Sequence, residues 1–375
     1  MVEYVCDSCN TTYPIDASRY KCDCGQALAL KKTAISFPLD KITERGNTLW
    51  RYREAIPITD DASIISFGEG MTPLVSSEHS LYDHRLKLDF IFPTGSYKDR
   101  GASVLLSRVR ELSIREVVED SSGNAGAAIA AYSAKAGIDC TIYCPASTSK
   151  GKLAQIAMYG AKLKLIEGNR AATTQAVLEA TDAIYYASHN WNPFFLEGTK
   201  TVAFEITEQL GWKPPDQVIC PVGFGSIYLG LFIGFRELYE QKVIPKLPCL
   251  LGVQSAACHP IYKAYIENDC QIDRFSQAHE TLAEGITSEL PIRTQMTMEA
   301  IRETSGAFTI VDEEDIKAGV KTLASKGIYV EPTSAVVVKA FDKFVADGII
   351  REGDLTISIL TGSGLKATDK LMKLV

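Results

Sequence analysis

The chain has 375 residues, of which 46% are hydrophobic and 23% are charged, and its formal net charge is −7. This length permits two or three domains, and the composition is that of an ordinary globular protein. The acidic balance argues against nucleic-acid binding, because nucleic-acid-binding proteins usually carry a basic excess or patch. The first residues, MVEYVCDSCN, contain neither a basic segment nor an apolar core. We therefore expect no signal peptide and a cytoplasmic protein.

The N-terminal segment contains four clustered cysteines, Cys6, Cys9, Cys22 and Cys24. They form a C-x2-C pair and, after twelve intervening residues, a C-x-C pair. Four thiolates in two close pairs suit tetrahedral zinc or a rubredoxin-like iron site. The alternative is four free thiols, since the second pair is one residue shorter than in the usual knuckle. We expect residues 1–30 to form a zinc-ribbon-like knuckle that holds a structural metal.

The stretch PTGSYKDRG, residues 93–101, places Lys98 directly before a helix-like run. Pro, Thr, Gly and Ser favour turns, and Asp99 suits the start of a helix. A lysine gains nothing from the helix dipole at this position, because the helix N-terminus prefers an anion. Two interpretations remain open for Lys98: a solvated surface side chain, or a side chain held at the turn for chemistry.

After this turn, apolar strand-like runs alternate with helical patterns. Strand-like runs include REVVED, DCTIYCP, QVICP, CLLGVQ and DLTISIL, and helical patterns include AGAAIAAYSAKAG, KTVAFEITEQLGW and DIKAGVKTLASKG. The alternation predicts an α/β fold with βαβ units, in which mainly parallel sheets are flanked by helices. In such sheets, ligands bind where strands end and helices begin.

One uncharged segment, Val218–Phe235, is long enough to span a membrane as a helix. Pro221, Gly223 and Gly225 near its start favour a different structure, namely a buried strand, a glycine turn and then a helix. We therefore expect no membrane association.

Three more strand-to-helix turns have unusual compositions: SSGNAG (121–126), PVGFGS (221–226) and TGSGLK (361–366). Backbone amides in the first two are suited to hold an anion. PVGFGS matches neither the GxGxxG nor the P-loop pattern. The five histidines lie outside all four turns, and neither GxSxG nor HExxH occurs, so a serine hydrolase or a His-ligated catalytic metal has little support. The chemistry that the residues support best is a Schiff-base lysine beside anion-binding turns.

The motifs PTGSYKDRG, SSGNAG and TGSGLK resemble the signature turns of fold-type-II pyridoxal-phosphate enzymes, and the match is closest to threonine synthases. GEGMTPL (68–74) is similar to the Gly-Glu-Gly-x-Thr-Pro-Leu segment of that subgroup, and EPTSA (331–335) resembles its late Glu-Pro-x-Ser-Ala turn. The motifs follow one another in the expected order over most of the chain.

The resemblance implies a role for each turn. Lys98 would form the Schiff base and move protons, Asn124 would hydrogen-bond the cofactor's ring hydroxyl, and Thr361 would lie near the pyridine nitrogen. The remaining residues would bind phosphate or substrate. The cofactor phosphate would be held by Gly223, Phe224, Gly225 and Ser226. The substrate carboxylate would be held by Ser121, Ser122 and Gly123. A phosphorylated substrate would bring a second phosphate that needs donors of its own, and the lysine turn offers Thr94, Ser96 and Arg100 as candidates.

The implied reaction converts O-phosphohomoserine and water into threonine and phosphate. Cysteate synthase-like replacement on O-phosphoserine and serine or threonine dehydration are alternatives, and a non-catalytic cofactor-binding or zinc-ribbon protein is a more distant one. Two departures concern residues close to the ligand. Phe224 stands where the family has Asn or Gly, and Phe92 stands where an Asn usually precedes the proline.

The resemblance also implies the domain organisation. A large cofactor domain would comprise residues 31–92 and 203–375, and a small domain would comprise residues 93–202 with the SSGNAG turn. The expected partner is a small amino-acid substrate, and family habit suggests a homodimer.

Overall fold

The computed structural model describes residues 2–15, 19–32, 35–148, 150–168, 170–269 and 274–374. Its strands, in chain order, are β1 (Val2–Cys6), β2 (Thr12–Tyr13), β3 (Leu28–Lys32), β4 (Leu74–Ser76), β5 (Asp83–Lys87), β6 (Glu116–Glu119), β7 (Asp139–Pro145), β8 (Lys162–Ile166), β9 (Tyr185–Tyr186), β10 (Gln217–Pro221), β11 (Cys249–Ser255), β12 (Ala307–Val311) and β13 (Leu355–Ile359). Its helices are α1 (Leu39–Glu44), α2 (Lys98–Glu111), α3 (Asn124–Ala136), α4 (Lys150–Met158), α5 (Arg170–Ala180), α6 (Pro193–Thr199), α7 (Thr201–Gln209), α8 (Ser226–Glu240), α9 (Pro260–Glu267), α10 (Thr294–Glu303), α11 (Glu313–Ser325), α12 (Pro332–Ala346) and α13 (Thr368–Leu371). The predicted alternation of strands and helices is confirmed.

The chain forms two compact units. Unit 1 contains Met1–Glu69 and Lys98–Thr199, and unit 2 contains Gly70–Tyr97 and Lys200–Val375. Packing therefore groups residues 31–69 with the N-terminal segment, whereas the sequence analysis placed them with the C-terminal half. The domain limits given there stay a prediction, because a compact unit describes packing and not independent folding.

Unit 1 contains a four-stranded parallel sheet with the order β8-β7-β6-β9. Helix α2 packs against α3 and α6, and the small side chains of the alanine-rich α3 permit close approach. A small antiparallel sheet, β2-β1-β3, belongs to the same unit, and its Tyr4 and Leu28 are buried in the same hydrophobic cluster as Phe194 of α6. The N-terminal segment thus shares a core with the helix that begins at Lys98.

Unit 2 contains a six-stranded sheet with the order β12-β11-β10-β13-β5-β4, in which only β4 pairs antiparallel. All five residues of the central strand β10 are buried, as expected for a strand covered on both faces. The uncharged segment Val218–Phe235 comprises most of β10, the PVGFGS turn and the first part of α8. The prediction of a strand, a glycine turn and a helix is therefore confirmed. Among the described residues, no helix has both the length and the apolar character needed to cross a membrane.

The interior of unit 2 also contains charged pairs. Lys87 Nζ lies 2.9 Å from a carboxylate oxygen of Glu205, and both side chains are fully buried. Lys200 Nζ lies 2.9 Å from Glu237 in the same way. A buried charge is tolerated only with a well-placed partner, so these pairs explain how two lysines can lie in the core.

Candidate active site

Three of the four predicted turns meet inside unit 2. Tyr97 Oη and Ser226 Oγ are 2.8 Å apart, which connects the PTGSYKDRG stretch to PVGFGS. The backbone N–H of Tyr97 donates to the carbonyl oxygen of Thr361 at 2.9 Å. Ser96 forms a β-bridge with Gly362, so the same stretch is also connected to TGSGLK. The chain segment just before Lys98 is therefore fixed by two other turns.

The late EPTSA turn holds the fourth turn in place. Ser334 Oγ accepts the backbone N–H groups of Thr361 at 3.0 Å and Gly362 at 2.8 Å. The same hydroxyl lies 3.0 Å from Thr361 Oγ1. Both Ser334 and Thr361 are buried. The hydroxyl of Thr361 is thus held in a defined position at the carboxyl end of β13.

The PVGFGS turn requires its two glycines. Gly225 adopts a left-handed conformation with φ +92° and caps α8. A Cβ atom at Gly223 would lie 3.0 Å from Cα of Ile286, which is tighter than an ordinary contact, so a larger residue there would require the neighbouring backbone to shift. The first backbone N–H groups of α8 have no partner inside the helix, and together with the dipole they suit an anion. This turn has the geometry of a phosphate site.

In unit 1, Lys98 is the first residue of α2 and is half-buried. Its Nζ atom lies 5.6 Å from the centre of the Phe195 ring. Two glycines allow this packing. A Cβ atom at Gly101 would lie 2.4 Å from Phe195, and one at Gly198 would lie 2.0 Å from the carbonyl oxygen of Arg100. The Arg100 side chain is fully buried, so this helix start is a packed structure and not a solvated face.

The SSGNAG turn, also in unit 1, connects β6 to α3. Gly123 caps the helix, Asn124 is its first residue, and Ser121 Oγ accepts the N–H of Gly123 at 3.3 Å. A Cβ atom at Gly126 would lie 1.8 Å from the carbonyl oxygen of Ser121, so only glycine fits there. Ser121 is buried, Ser122 is half-buried and Gly123 is exposed. The turn therefore presents a helix N-terminus at the carboxyl end of a parallel strand, where ligands bind.

Comparison with known proteins identifies this arrangement. The family described as "Pyridoxal-phosphate dependent enzyme" matches residues 65–362. The chain belongs to the pyridoxal-phosphate-dependent enzyme family. It is 35% identical to the threonine synthase of Methanocaldococcus jannaschii, over 98% of this chain and 94% of that protein. It is 34% identical to the threonine synthase of Methanosarcina acetivorans, over 98% of this chain and 92% of that protein.

Solved structures of the family show the same fold. The processed form of threonine deaminase isoform 2 from Solanum lycopersicum matches with a TM-score of 0.72 and 19% identity, over 88% of this chain and 90% of that chain. Serine racemase from Dictyostelium discoideum matches with a TM-score of 0.67 and 22% identity, over 85% of this chain and 98% of that chain. The predicted fold-type-II architecture is confirmed.

The residues of this chain fit the cofactor of the family. The PVGFGS turn lies at a helix start, whose N–H groups and dipole favour an anion, and Thr361 provides a fixed, buried hydroxyl. One observation in unit 2 indicates a further ligand contact. Ser96 is fully buried, yet its Oγ atom has no hydrogen-bond partner within the part of the chain that the structure describes. A buried hydroxyl without a partner is costly and rare, so a bound group is a reasonable partner for it.

The sequence analysis missed a polar pair in unit 1. Nδ1 of His189 lies 2.5 Å from Oε1 of Glu119, and both side chains are buried. Glu119 is the last residue of β6, and His189 follows β9 by three positions. Asp120, the residue after Glu119, accepts a hydrogen bond from the hydroxyl of Tyr186. The pKa of Tyr186 is raised, chiefly by burial. The available signal in the sequence is a histidine just after a short apolar run, but this histidine lies outside the four turns.

The four N-terminal cysteines lie together. Cys6 Sγ is 3.6 Å from Cys24 Sγ, Cys9 Sγ is 3.5 Å from Cys22 Sγ, and all four sulfur atoms lie within 4.8 Å of one another. Tetrahedral zinc with Zn–S bonds of about 2.3 Å requires sulfur separations of about 3.8 Å, so the geometry fits a metal. Hydrogen bonds from the side chain and backbone of Thr11 lower the pKa of Cys9 to about 6, which favours the thiolate. The residues thus fit the metal predicted from their spacing.

Proposed function

We propose that this enzyme is a threonine synthase, which converts O-phosphohomoserine and water into threonine and phosphate. The observation that carries the proposal is the similarity to threonine synthases over nearly the whole chain. Packing in unit 2 supports it, because the segment before Lys98, the PVGFGS turn and the TGSGLK turn are hydrogen-bonded together. Cysteate synthase-like replacement and dehydration are less favoured, because the relatives with 34–35% identity over nearly the whole chain are threonine synthases, whereas the threonine deaminase match is only 19% identical.

Bound pyridoxal phosphate supplies an electron-withdrawing ring that stabilises negative charge at the substrate Cα atom. Lys98 is the proposed covalent anchor and proton carrier. The N–H groups and hydroxyl of the turn Gly223–Ser226, which includes Phe224, would hold the phosphate of the cofactor. Asn124 would donate to the ring hydroxyl. The Thr361 hydroxyl would lie at the pyridine nitrogen, where a hydroxyl, unlike a carboxylate, does not force protonation.

Substrate recognition is assigned to two groups of residues. The helix N-terminus at Ser121, Ser122 and Gly123 would bind the substrate carboxylate, because its N–H groups and dipole favour an anion. The second phosphate requires donors of its own. Thr94, Ser96 and Arg100 are the proposed donors, and the buried Ser96 hydroxyl is the best supported of them.

The decisive experiment offers the purified, cofactor-loaded protein three reactions in parallel: O-phosphohomoserine alone, O-phosphoserine with sulfite, and threonine alone. We expect phosphate and threonine in equal amounts from the first reaction. Consumption of threonine to an oxoacid, or turnover of O-phosphoserine with sulfite only, would refute the proposed substrate and leave the cofactor assignment intact.

The role of Lys98 has a separate test that does not depend on the substrate. Borohydride reduction of the cofactor-loaded protein should fix the cofactor on the peptide that contains Lys98. Lys98→Ala should abolish turnover, because no other group is assigned its proton transfers. Labelling of Lys366 in place of Lys98 would overturn the assignment.

We also propose that Cys6, Cys9, Cys22 and Cys24 bind one structural zinc or iron ion. No open coordination position is implied, so a catalytic role for the metal is not expected. A cytoplasmic location and a homodimer complete the proposal. The first rests on the clustered, reduced thiols, and the second rests on family habit alone.

A further inference from the structure

His189 lies at the edge of the unit 1 sheet where a ligand is expected. Strands β6 and β9 are parallel neighbours, and the N–H of Ala187 continues their ladder by donating to the carbonyl oxygen of Val118 at 2.9 Å. The carboxyl ends of the two strands therefore lie side by side. The chain leaves β6 through Ser121 and leaves β9 toward His189. Parallel sheets bind ligands at this edge.

The Glu119–His189 pair defines the protonation of the imidazole ring. The 2.5 Å contact joins Nδ1 to a carboxylate oxygen, and the exposed fractions of the two side chains are 7% for His189 and 0% for Glu119. Since a carboxylate only accepts, the proton of the neutral ring lies on Nδ1 and the lone pair lies on Nε2. A buried carboxylate behind Nδ1 is the arrangement that prepares an imidazole to act as a base through Nε2.

The pair also lies close to the lysine within unit 1. The ring centres of His189 and Phe195 are 6.0 Å apart, and Lys98 Nζ lies 5.6 Å from the centre of the same Phe195 ring. Phe195 is fixed by its close approach to Gly101. One aromatic ring thus contacts both groups that could carry protons.

We propose that His189 is the base that activates the water in the proposed threonine synthase reaction, with Glu119 as its positioning residue. This inference rests on the proposed function. Once phosphate has left, an O–H bond of the water breaks and its proton goes to Nε2 of His189. The water oxygen bonds to the substrate Cβ atom, and the electron pair of the Cα–Cβ double bond moves toward Cα, which then accepts a proton. Lys98 is left free to serve the Cα and earlier Cβ proton transfers.

The test uses the cofactor-loaded full chain and O-phosphohomoserine, and it measures the ratio of threonine to phosphate. His189→Asn keeps an amide that can donate to Glu119 but removes the basic nitrogen. We expect phosphate release to continue and threonine formation to fall about 100-fold, the usual contribution of a general base. The unsaturated amino acid then takes up water at its imine carbon and appears as 2-oxobutanoate and ammonia. Glu119→Gln should change the ratio in the same direction.

The ratio is measured per turnover, so it does not depend on how much of a variant folds. An unchanged 1:1 ratio of threonine to phosphate in either variant, at whatever total yield, overturns the role of His189. His84→Asn, which removes a buried imidazole in unit 2, is the matched control and should keep the 1:1 ratio. If the wild-type protein itself releases no phosphate from O-phosphohomoserine, the proposed function fails, and this result is distinct from a failure of the His189 assignment.

Discussion

Replacing Ser96 with Ala should raise the stability of the ligand-free protein and lower its catalytic efficiency. The Ser96 side chain is 0% exposed, and its hydroxyl has no hydrogen-bond partner among the residues that the structure describes. Removing a buried polar group without a partner should stabilise the ligand-free fold by about 1 kcal/mol. If the hydroxyl donates to the substrate phosphate, its loss should cost roughly 1.5–3 kcal/mol in the transition state. That cost corresponds to about a ten- to hundredfold fall in kcat/KM.

Ser334 offers a matched control, because it too is a fully buried serine of unit 2. Its Oγ atom accepts two backbone N–H groups, at 3.0 and 2.8 Å, so Ser334→Ala should destabilise the fold by about 2–4 kcal/mol. An unfolding entropy of about 2.1 cal/mol/K per residue gives about 0.8 kcal/mol/K for this chain. Differential scanning calorimetry should therefore show a rise of about 1 °C for Ser96→Ala and a fall of roughly 3–5 °C for Ser334→Ala.

The two measurements refute different parts of the reasoning. If Ser96→Ala lowers the melting temperature of the ligand-free protein, the hydroxyl has a structural partner and its buried position needs no ligand. If kcat/KM and the cofactor absorbance are both unchanged, Ser96 does not contact the substrate. Only a stabilised protein with reduced kcat/KM and normal cofactor absorbance supports the assignment.

Three further features can each be tested by substitution. Gly126→Ala should shift the SSGNAG turn and reduce kcat/KM about 100-fold. Gly137→Ala, at the open left-handed end of the same helix, is the control and should cost only about 1 kcal/mol of stability. Equal values of kcat/KM in the two variants would contradict a role for the close contact at Gly126. Cys22→Ser should abolish binding of the proposed structural metal, as measured by elemental analysis of the purified protein, and should reduce activity only through stability. Burial lowers the pKa of His84 from 6.5 to about 3. The neutral form of His84 therefore stabilises the fold above pH 6.5, and this contribution is lost as the pH falls toward 3. His84→Leu should make the free energy of unfolding less dependent on pH between 6.5 and 3, as measured by denaturant titration at each pH.

Local sequence was sufficient to find the turns because each one carries its own information. The left-handed backbone at residue 225 requires glycine. The close approach of the Ser121 carbonyl oxygen requires glycine at residue 126. Both requirements appear in the sequence as glycines where a strand gives way to a helix. The cysteine spacing predicted a cluster for the same reason, since C-x2-C and C-x-C pairs are short-range patterns.

Contacts between distant residues could not be predicted in this way. Ser334 reaches Thr361 across 27 positions, and His189 reaches Glu119 across 70, through the pairing of β9 with β6. A strand of two residues such as β9 has almost no periodic signal, so its pairing partner is not evident from the sequence. His189 lies outside the four turns along the chain, although its position in space decides its role.

The arrangement of unit 1 suggests why this edge of the sheet combines so many buried polar groups. Glu119 and Asp120 are consecutive acidic residues at the end of β6, and each has a specific buried partner, His189 for the first and Tyr186 for the second. Burying two carboxylates side by side is expensive unless hydrogen bonds compensate each of them. Both of these partners come from the segment that follows α5. Accepting this cost at the edge of the sheet where ligands bind fits a catalytic use for the Glu119–His189 pair.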